Sequence, residues 1–430
     1  MINVGYTCTP ILVHALLIFH WFAFNLVVLN ASAEQAEQGA PATLQADLVK
    51  LRAENGDAQA QYLLGEAYAN GLGVAIDHAE AHKWWARAAK QGLAVAENKL
   101  GYSYRTGRTI ARDYSQAFYW FHAAAEQGFP AAEFNLAYMY EHGEGTPQDY
   151  SQAAVWYRRA AEVGLPIAQN NLAMAYDHGW GVPKDSAQAV KWFVKAAEQG
   201  EVSAQYNLGE LHCAGRGIGQ DYRQALLWFR KAADQGFSPA YNAIGYLYEN
   251  GKGVPRNYTE AAVMYRKAAD NGFSRAQAVL GFMYLEGKGV TQDFTQAAQW
   301  LSRSAEQGDV VGQGGLGRLY YSGLGVPRDW SKAAEWFQKA AEHGFAVAEE
   351  NLGFLFEHGN GVPVDYPEAY KWYQLAAEHG SAPAMRAMQS LATIMTRRQL
   401  SDSQLRLETW QRRPKIVEDS SSFSGIEIVK

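Results

Sequence analysis

Apolar residues along the chain fall at helical spacing in pairs of short stripes. Ala204, Leu208 and Leu211 lie at i, i+4 and i+7, and Ala225, Trp228 and Ala232 follow at spacings of three and four. Each set places its members on one face of an α-helix. Between the stripes stands Gly215-x-Gly217, where glycine tolerates the left-handed backbone that ends a helix. Val254-Pro255 and Val326-Pro327 follow the equivalent glycines elsewhere, and proline there stops the first helix from continuing. The second stripe opens on Asp221 with Gln224 three residues on. The same spacing recurs at Asp77/Glu80, Asp113/Gln116, Asp149/Gln152 and Asp365/Glu368, with Asn257/Glu260 as a variant and Asp329/Lys332 as a departure. A capping box is predicted, in which the Gln or Glu side chain reaches back to the N–H of the cap residue. The second helix closes on Ala-Ala-Glu-Gln-Gly or a close copy. The next residue is often apolar (Leu93, Phe129, Leu165, Phe237, Phe273, Phe345), as expected where it packs back onto the helix.

This two-helix pattern repeats without a break. Gly56, Gly92, Gly128, Gly164, Gly200, Gly236, Gly272, Gly308, Gly344 and Gly380 stand 36 residues apart. Residues 57–380 are therefore nine consecutive units, 57–92, 93–128, 129–164, 165–200, 201–236, 237–272, 273–308, 309–344 and 345–380. A Leu-Gly pair recurs, as at Leu100-Gly101 and Leu208-Gly209, and a Trp recurs at 84, 120, 156, 192, 228, 300, 336 and 372, with Met264 as the one substitute. The Trp is expected to fill the space between neighbouring helices. One such hairpin cannot bury both of its stripes, so each stacks on the next. The fold class is all-α, an α/α superhelical solenoid of nine 36-residue helix-turn-helix repeats with N- and C-terminal capping helices. Residues 34–56 read as a short tail and an N-capping helix. Residues 381–411 read as a degraded half repeat followed by a capping helix bearing Leu400, Leu405, Leu407 and Trp410. Residues 412–430 read as a disordered tail.

The succession Ala-x-x-x-Leu-Gly-x-x-Tyr-x-x-Gly-x-Gly-Val, then Asp-x-x-x-Ala-x-x-Trp, then Ala-Ala-x-x-Gly resembles the Sel-one-like repeat family, a relative of the tetratricopeptide repeat with a slightly longer unit. Nine in-phase copies cover about three quarters of the chain. Departures are few: Thr109 replaces a loop glycine, His212 a Tyr and Met264 the Trp. The resemblance implies a superhelix that binds other proteins, as an adaptor in envelope assembly, secretion, signalling or quality control. The disulfides of cysteine-rich members do not carry over.

Residues 11–29 form an apolar run that ends near Ala31-Ser32-Ala33. Small residues at −3 and −1 suit signal peptidase, so a signal peptide over 1–33, cleaved after Ala33, is expected. The segment before the run lacks Lys and Arg, and the run is long enough to span a bilayer; retention of 11–29 as a membrane anchor is the alternative. Cys8 lies in this leader, which leaves Cys213 alone in the body with no internal disulfide available.

Composition narrows the function classes. Thirty-eight Lys and Arg stand against 44 Asp and Glu, a net charge of −6, which argues against the basic field of a nucleic-acid binder. With 48% hydrophobic and 19% charged residues, bulk disorder is excluded. No His-Glu-x-x-His, Gly-x-Ser-x-Gly or phosphate-binding loop occurs in the body. His142, His178 and His358 share one position at the end of the first helix, where a cation meets the helix dipole; no third ligand accompanies them, so no metal and no cofactor is expected. His343 and His379 receive the same reading.

A second face of each first helix, six, ten and thirteen residues after the preceding glycine, varies from unit to unit. The six-residue column holds Tyr62, Asn98, Phe134, Asn170, Tyr206, Asn242, Ala278, Gly314 and Glu350; the ten-residue column holds Glu66, Tyr102, Tyr138, Met174, Glu210, Tyr246, Phe282, Arg318 and Phe354. By resemblance to tetratricopeptide arrays these columns line a concave groove for a partner protein or extended peptide, with rings burying area and amides bonding backbone. The competing reading is that the rings only pack between successive first helices. The expected function is that of an exported, non-enzymatic interaction scaffold in a bacterial periplasm or envelope, or secreted. A membrane-anchored adaptor is the runner-up, and a glycan-active envelope enzyme is a third reading that no motif supports.

Overall fold

The computed structural model describes residues 42–108 and 110–411, with side chains from residue 47 on. The leader or anchor of 1–33, the tails 34–41 and 412–430, and Thr109 lie outside the described residues. Among the described residues the chain forms twenty-one α-helices and no strand, an all-α solenoid of stacked helical hairpins. Two compact units divide it. One holds the described residues up to Ala204 together with Arg216–Ile218; the other holds Gln205–Gly215 and the described residues from Gly219 onward.

In the first unit α1 (Ala42–Glu54) precedes four hairpins, α2 (Ala58–Asn70) with α3 (His78–Lys90), α4 (Ala94–Thr106) with α5 (Tyr114–Glu126), α6 (Pro130–His142) with α7 (Tyr150–Glu162), and α8 (Pro166–His178) with α9 (Ser186–Glu198). In the second, α10 (Val202–Ala214), which starts just before the boundary, pairs with α11 (Tyr222–Asp234). Then come α12 (Ser238–Asn250) with α13 (Tyr258–Asp270), α14 (Ser274–Glu286) with α15 (Phe294–Glu306), α16 (Val310–Ser322) with α17 (Trp330–Glu342), and α18 (Ala346–His358) with α19 (Tyr366–Glu378). Two helices close this unit, α20 (Ala382–Ile394) and α21 (Arg397–Gln411). The last is fixed to α19 by Arg406, 2.8 Å from Asp365 and 3.1 Å from Glu368, and by Trp410 set edge-on to Trp372.

Local chemistry sets the start of each second helix. The Asp or Asn before each second helix accepts from the N–H two or three residues on, as Asp149 Oδ1 does from Ser151 and Gln152 at 2.9 and 3.0 Å. Even Asp329, the departure from the spacing, accepts from Lys332 N–H at 3.0 Å. The reciprocal half of the expected capping box is not how the cap's own N–H is satisfied. Asp149 N–H instead donates to Tyr140 O at 2.8 Å, and Asp113, Asp185 and Asp365 donate likewise to Tyr104, Tyr176 and Phe356. The first helix offers its orphan C-terminal carbonyl there, so one bond serves both helix ends. After each closing glycine the chain turns back: Phe129 N–H donates to Ala124 O at 3.2 Å, and the ring joins the core of its unit.

The side chain that packs against the Leu-Gly pair of each hairpin is the successor of the recurrent Trp. Trp85, Phe121, Tyr157, Phe193, Phe229, Tyr265, Leu301, Phe337 and Tyr373 are all at most 2% exposed. Each faces the small residue of the Leu-Gly pair. A Cβ on Gly101 would lie 2.6 Å from the Phe121 ring, which explains the glycine. The recurrent Trp sits one residue earlier, about 100° round the helix. Trp84, Trp156, Trp300 and Trp372 are buried there, whereas Trp228, Trp192 and Trp336 are only half-buried, and a cation three residues on covers each: Lys231 at 3.8 Å, Lys195 at 4.1 Å and Lys339 at 3.9 Å from the ring centre. Cation–π attraction thus finishes a surface that burial leaves half open.

Between hairpins, backbone meets backbone. Gly145, at φ 71°, lies against the start of α5, the second helix of the preceding repeat, where a Cβ would stand 2.2 Å from Tyr114 O. The second glycine of the Gly-x-Gly loop is therefore demanded twice, by its left-handed conformation and by the neighbouring repeat.

Candidate functional site

The variable columns lie where consecutive first helices meet, and the structure sorts them by depth. Tyr206, Asn170, Asn242 and Glu66 are buried. Tyr62, Asn98, Phe134, Tyr102, Tyr138, Met174, Glu210, Tyr246, Phe282 and Phe354 are half-buried, and Arg318 alone is exposed. Tyr206 is wedged between Phe229 and Phe237, with ring centres 5.5 and 5.4 Å away, so it belongs to the packing between helices. Phe134 leans on Tyr157 at 5.7 Å. Burial and the neighbouring Glu66 push the Tyr62 phenol well above its ordinary range.

Polar members of these columns bond to neighbouring side chains, some in the same repeat and some in the next. Asn98 Oδ1 accepts from Asn135 Nδ2 at 2.9 Å, Asn170 Nδ2 donates to Asn171 Oδ1 at 3.2 Å, and Lys99 lies 2.9 Å from the buried Glu66. Arg105 lies 4.1 Å above the Tyr138 ring while pairing with Glu144 at 2.7 Å. Burial raises the Tyr138 phenol, and Arg105 opposes that rise. Lys252 Nζ donates to the Tyr246 hydroxyl at 2.8 Å.

The thirteen-residue position carries a ladder that the sequence pattern did not reveal. Tyr157, Tyr265 and Tyr373 donate their hydroxyls to Glu141, Glu249 and Glu357 at 2.5, 2.8 and 2.7 Å. The same position reaches forward 39 residues, joining Asp177 to Arg216 at 2.7 Å and Glu249 to Lys288 at 3.1 Å. The only sequence signal is opposite charge at that separation, which no helical period flags.

A second polar series clasps five hairpins at the base through Gln. Gln91, Gln127, Gln199, Gln235 and Gln307 donate to Gln61, Glu97, Gln169, Gln205 and Gln277, thirty residues earlier, at 2.7–3.0 Å. His379 holds this position in the ninth repeat, with Nδ1 2.8 Å from Glu349 Oε2. Its expected role as a simple dipole partner is thereby corrected, because it faces a carboxylate that is 1% exposed. Burial raises the Glu349 carboxyl, and the His379 contact partly offsets the rise. His142, His178 and His358 do sit at helix ends, each with Nδ1 3.0 Å from the carbonyl four residues back.

Among the described residues no three His, Cys, Asp or Glu side chains converge to hold a metal ion, and no helix is long and apolar enough to cross a membrane. Burial, with Glu210 nearby, pushes the Cys213 thiol up to about 12, so it is protonated at neutral pH and a poor nucleophile. A shallow depression of about 320 Å³ lies on the second-helix side, lined by Val155, Arg158 and Val182. Ser151, Arg159 and Glu162 also line it, with no His or Cys.

The Sel1 repeat model matches residues 58–93, 94–129, 130–165, 166–201, 202–237, 238–273, 274–309, 310–345 and 346–381. Among solved structures, a Sel1 repeat protein from Oxalobacter formigenes is 33% identical with a TM-score of 0.57, over 74% of this chain and 95% of that one. A protective antigen of uropathogenic Escherichia coli strains, displaying an SLR fold, is 28% identical with a TM-score of 0.51, over 90% and 99%. No curated protein matches the chain.

Proposed function

The chain belongs to the Sel1 repeat family, whose members are in general protein-interaction scaffolds, and from that premise we propose that it holds a partner protein or extended peptide on its first helices. The observation that carries this reading is the depth sorting of the variable columns. In an array whose core positions barely change, Tyr102, Tyr138, Met174, Tyr246, Phe282, Arg318 and Phe354 differ from repeat to repeat and keep solvent-accessible surface. Aromatic residues and Arg on such a face are the types that dominate interface energetics. Tyr206, Asn170 and Asn242 drop out of the contact set and support it from beneath.

The protein works outside the cytoplasm as a non-enzymatic adaptor. Residues 1–33 supply an export signal cleaved after Ala33, or 11–29 remain as an anchor if cleavage does not occur, and a relative described as a protective antigen is consistent with export. The mass of the mature N-terminus separates the two forms.

Photo-crosslinking tests the face. A benzoylphenylalanine at Tyr102 should join the partner in native envelope, whereas one at Tyr119, 59% exposed on the second helix of the same repeat, should not. Crosslinks from Tyr119 and none from Tyr102 would move the site to the other side of the hairpins.

A further inference from the structure

The first helices of the nine repeats carry four Lys or Arg, and three are neutralised within the protein: Lys99 by Glu66 at 2.9 Å, Arg105 by Glu144 at 2.7 Å and Arg275 by Asp309 at 3.0 Å. Arg318 is exposed, and no described residue pairs with it. Its surroundings are built by its own helix. α16 carries Gly314 one turn before Arg318, and the Phe345 ring lies so close that a Cβ there would stand 2.6 Å away. Gly315 likewise receives the Phe282 ring, 2.9 Å from where its Cβ would be. No side chain can therefore rise beside the guanidinium on that turn. In the same column of the adjoining first helices stand Phe282 and Phe354, both half-buried.

The acids of the next first helix, α18, are already engaged, Glu349 by His379. Glu350 accepts from Ser381 Oγ at 2.5 Å and Glu357 from Tyr373 at 2.7 Å. On α20, two first-helix positions further on, Arg386 is also exposed and has no partner among the described residues. Met385 beside it is 46% exposed. The end of this unit thus presents two unneutralised guanidinium groups among apolar side chains, in a protein of net charge −6.

We propose that repeats seven to nine and α20 bind an extended peptide whose carboxylate side chains, flanked by apolar residues, pair with Arg318 and Arg386. This rests on the reading of the first-helix face as a binding surface and specifies its occupant. Charge complementarity selects the acid: a guanidinium forks onto a carboxylate with two parallel bonds, and the flanking rings lower the water content around the pair. Packed helices lie about 8–10 Å apart, so α16 and α20 are separated by roughly 16–20 Å. An extended strand covers that in about five or six residues.

The probe is a set of fluorescein-labelled peptides, Ser-Val-X-Val-Ser-Val-Ser-Val-X-Val-Ser-amide, with X as Glu, Gln or Lys at a spacing of six so that both side chains face one way, titrated against the full chain by fluorescence anisotropy. The Glu peptide should bind at least about fivefold more tightly than the Gln peptide, with the preference shrinking as salt rises. R318Q should abolish most of that preference, R318Q/R386Q the remainder, and R318E should turn it toward the Lys peptide. Both arginines are exposed, so helicity should be unchanged. Equal affinity for Glu and Gln peptides, a preference that survives R318Q/R386Q, or no binding at all overturns the proposal. So does Arg318-dependent binding of phosphatidylglycerol vesicles without peptide binding, which would give the face to a lipid surface. Loss of the charge preference while the Tyr102 crosslink persists removes this inference and leaves the scaffold; loss of the crosslink removes the scaffold.

Discussion

Phe229 lies so close to Gly209 that a methyl group on the glycine would stand 2.5 Å from the ring edge. The contact recurs with other rings throughout the array and sets how near the two helices of a hairpin approach. Its neighbour Trp228 is half outside, beneath Lys231. Phe229→Ala should cost about 3–5 kcal/mol through the cavity it leaves, and Trp228→Ala about 1–2 kcal/mol, since a half-buried ring surrenders less area. Urea denaturation midpoints of the two variants decide it; a larger loss for Trp228→Ala would return the Trp to the hairpin interior.

Gly145 and Gly128 both have positive φ, 71° and 77°, yet only Gly145 is crowded by a neighbouring repeat. No atom lies within 4 Å of a Cβ built on Gly128. Gly128→Ala should therefore cost only the left-handed strain, about 1–2 kcal/mol. Gly145→Ala should cost clearly more, because Tyr114 O must move. Thermal melts of the two proteins check this, and equal shifts would show that the loop yields freely.

Tyr206 and Tyr102 separate support from surface. Tyr206→Ala should lower stability by about 3 kcal/mol, as for a buried aromatic, with loss of helical signal at a lower temperature. Tyr102→Ala should melt within about 1 kcal/mol of wild type while weakening partner capture. If Tyr206→Ala melts like wild type and loses the partner, the ring is a contact residue after all.

Glu349 gives the ninth repeat a pH dependence of known sign. Burial is the largest influence and raises its carboxyl above the ordinary value of 4.5. A group raised on folding stabilises most below its unfolded pKa, and that contribution is lost as pH rises through the folded value. Wild type should therefore lose stability from this site as pH climbs upward from about 4.5, and Glu349→Gln, which stays neutral, should not. Melting temperatures at pH 4 and pH 7 measure it: the fall between them should be smaller in the variant. A fall of the same size would mean that His379, 2.8 Å away, fully compensates the buried charge.

Much of the architecture was legible in the sequence because its causes are local. A glycine every 36 residues, an Asp at each second-helix start and apolar residues three and four apart each act within one or two turns of chain. They fix where the helices begin, where they end and that they stack. Tertiary structure decided what lies beyond that reach. Periodicity locates a buried face only to within about one residue, or 100° of helix, so it could not choose between Trp228 and Phe229 when both are apolar. Nor could it foresee that Asp149 N–H would turn to Tyr140 O, since that acceptor exists only once two helices meet. The clasps at thirty residues and the ion pairs at 39 depend on the pitch of the hairpin and of the stack. For the same reason the column Asn170, Tyr206 and Asn242 went inside while Arg318 stayed in water: residue type proposes a role, and the approach of the adjacent helix determines whether the side chain is covered.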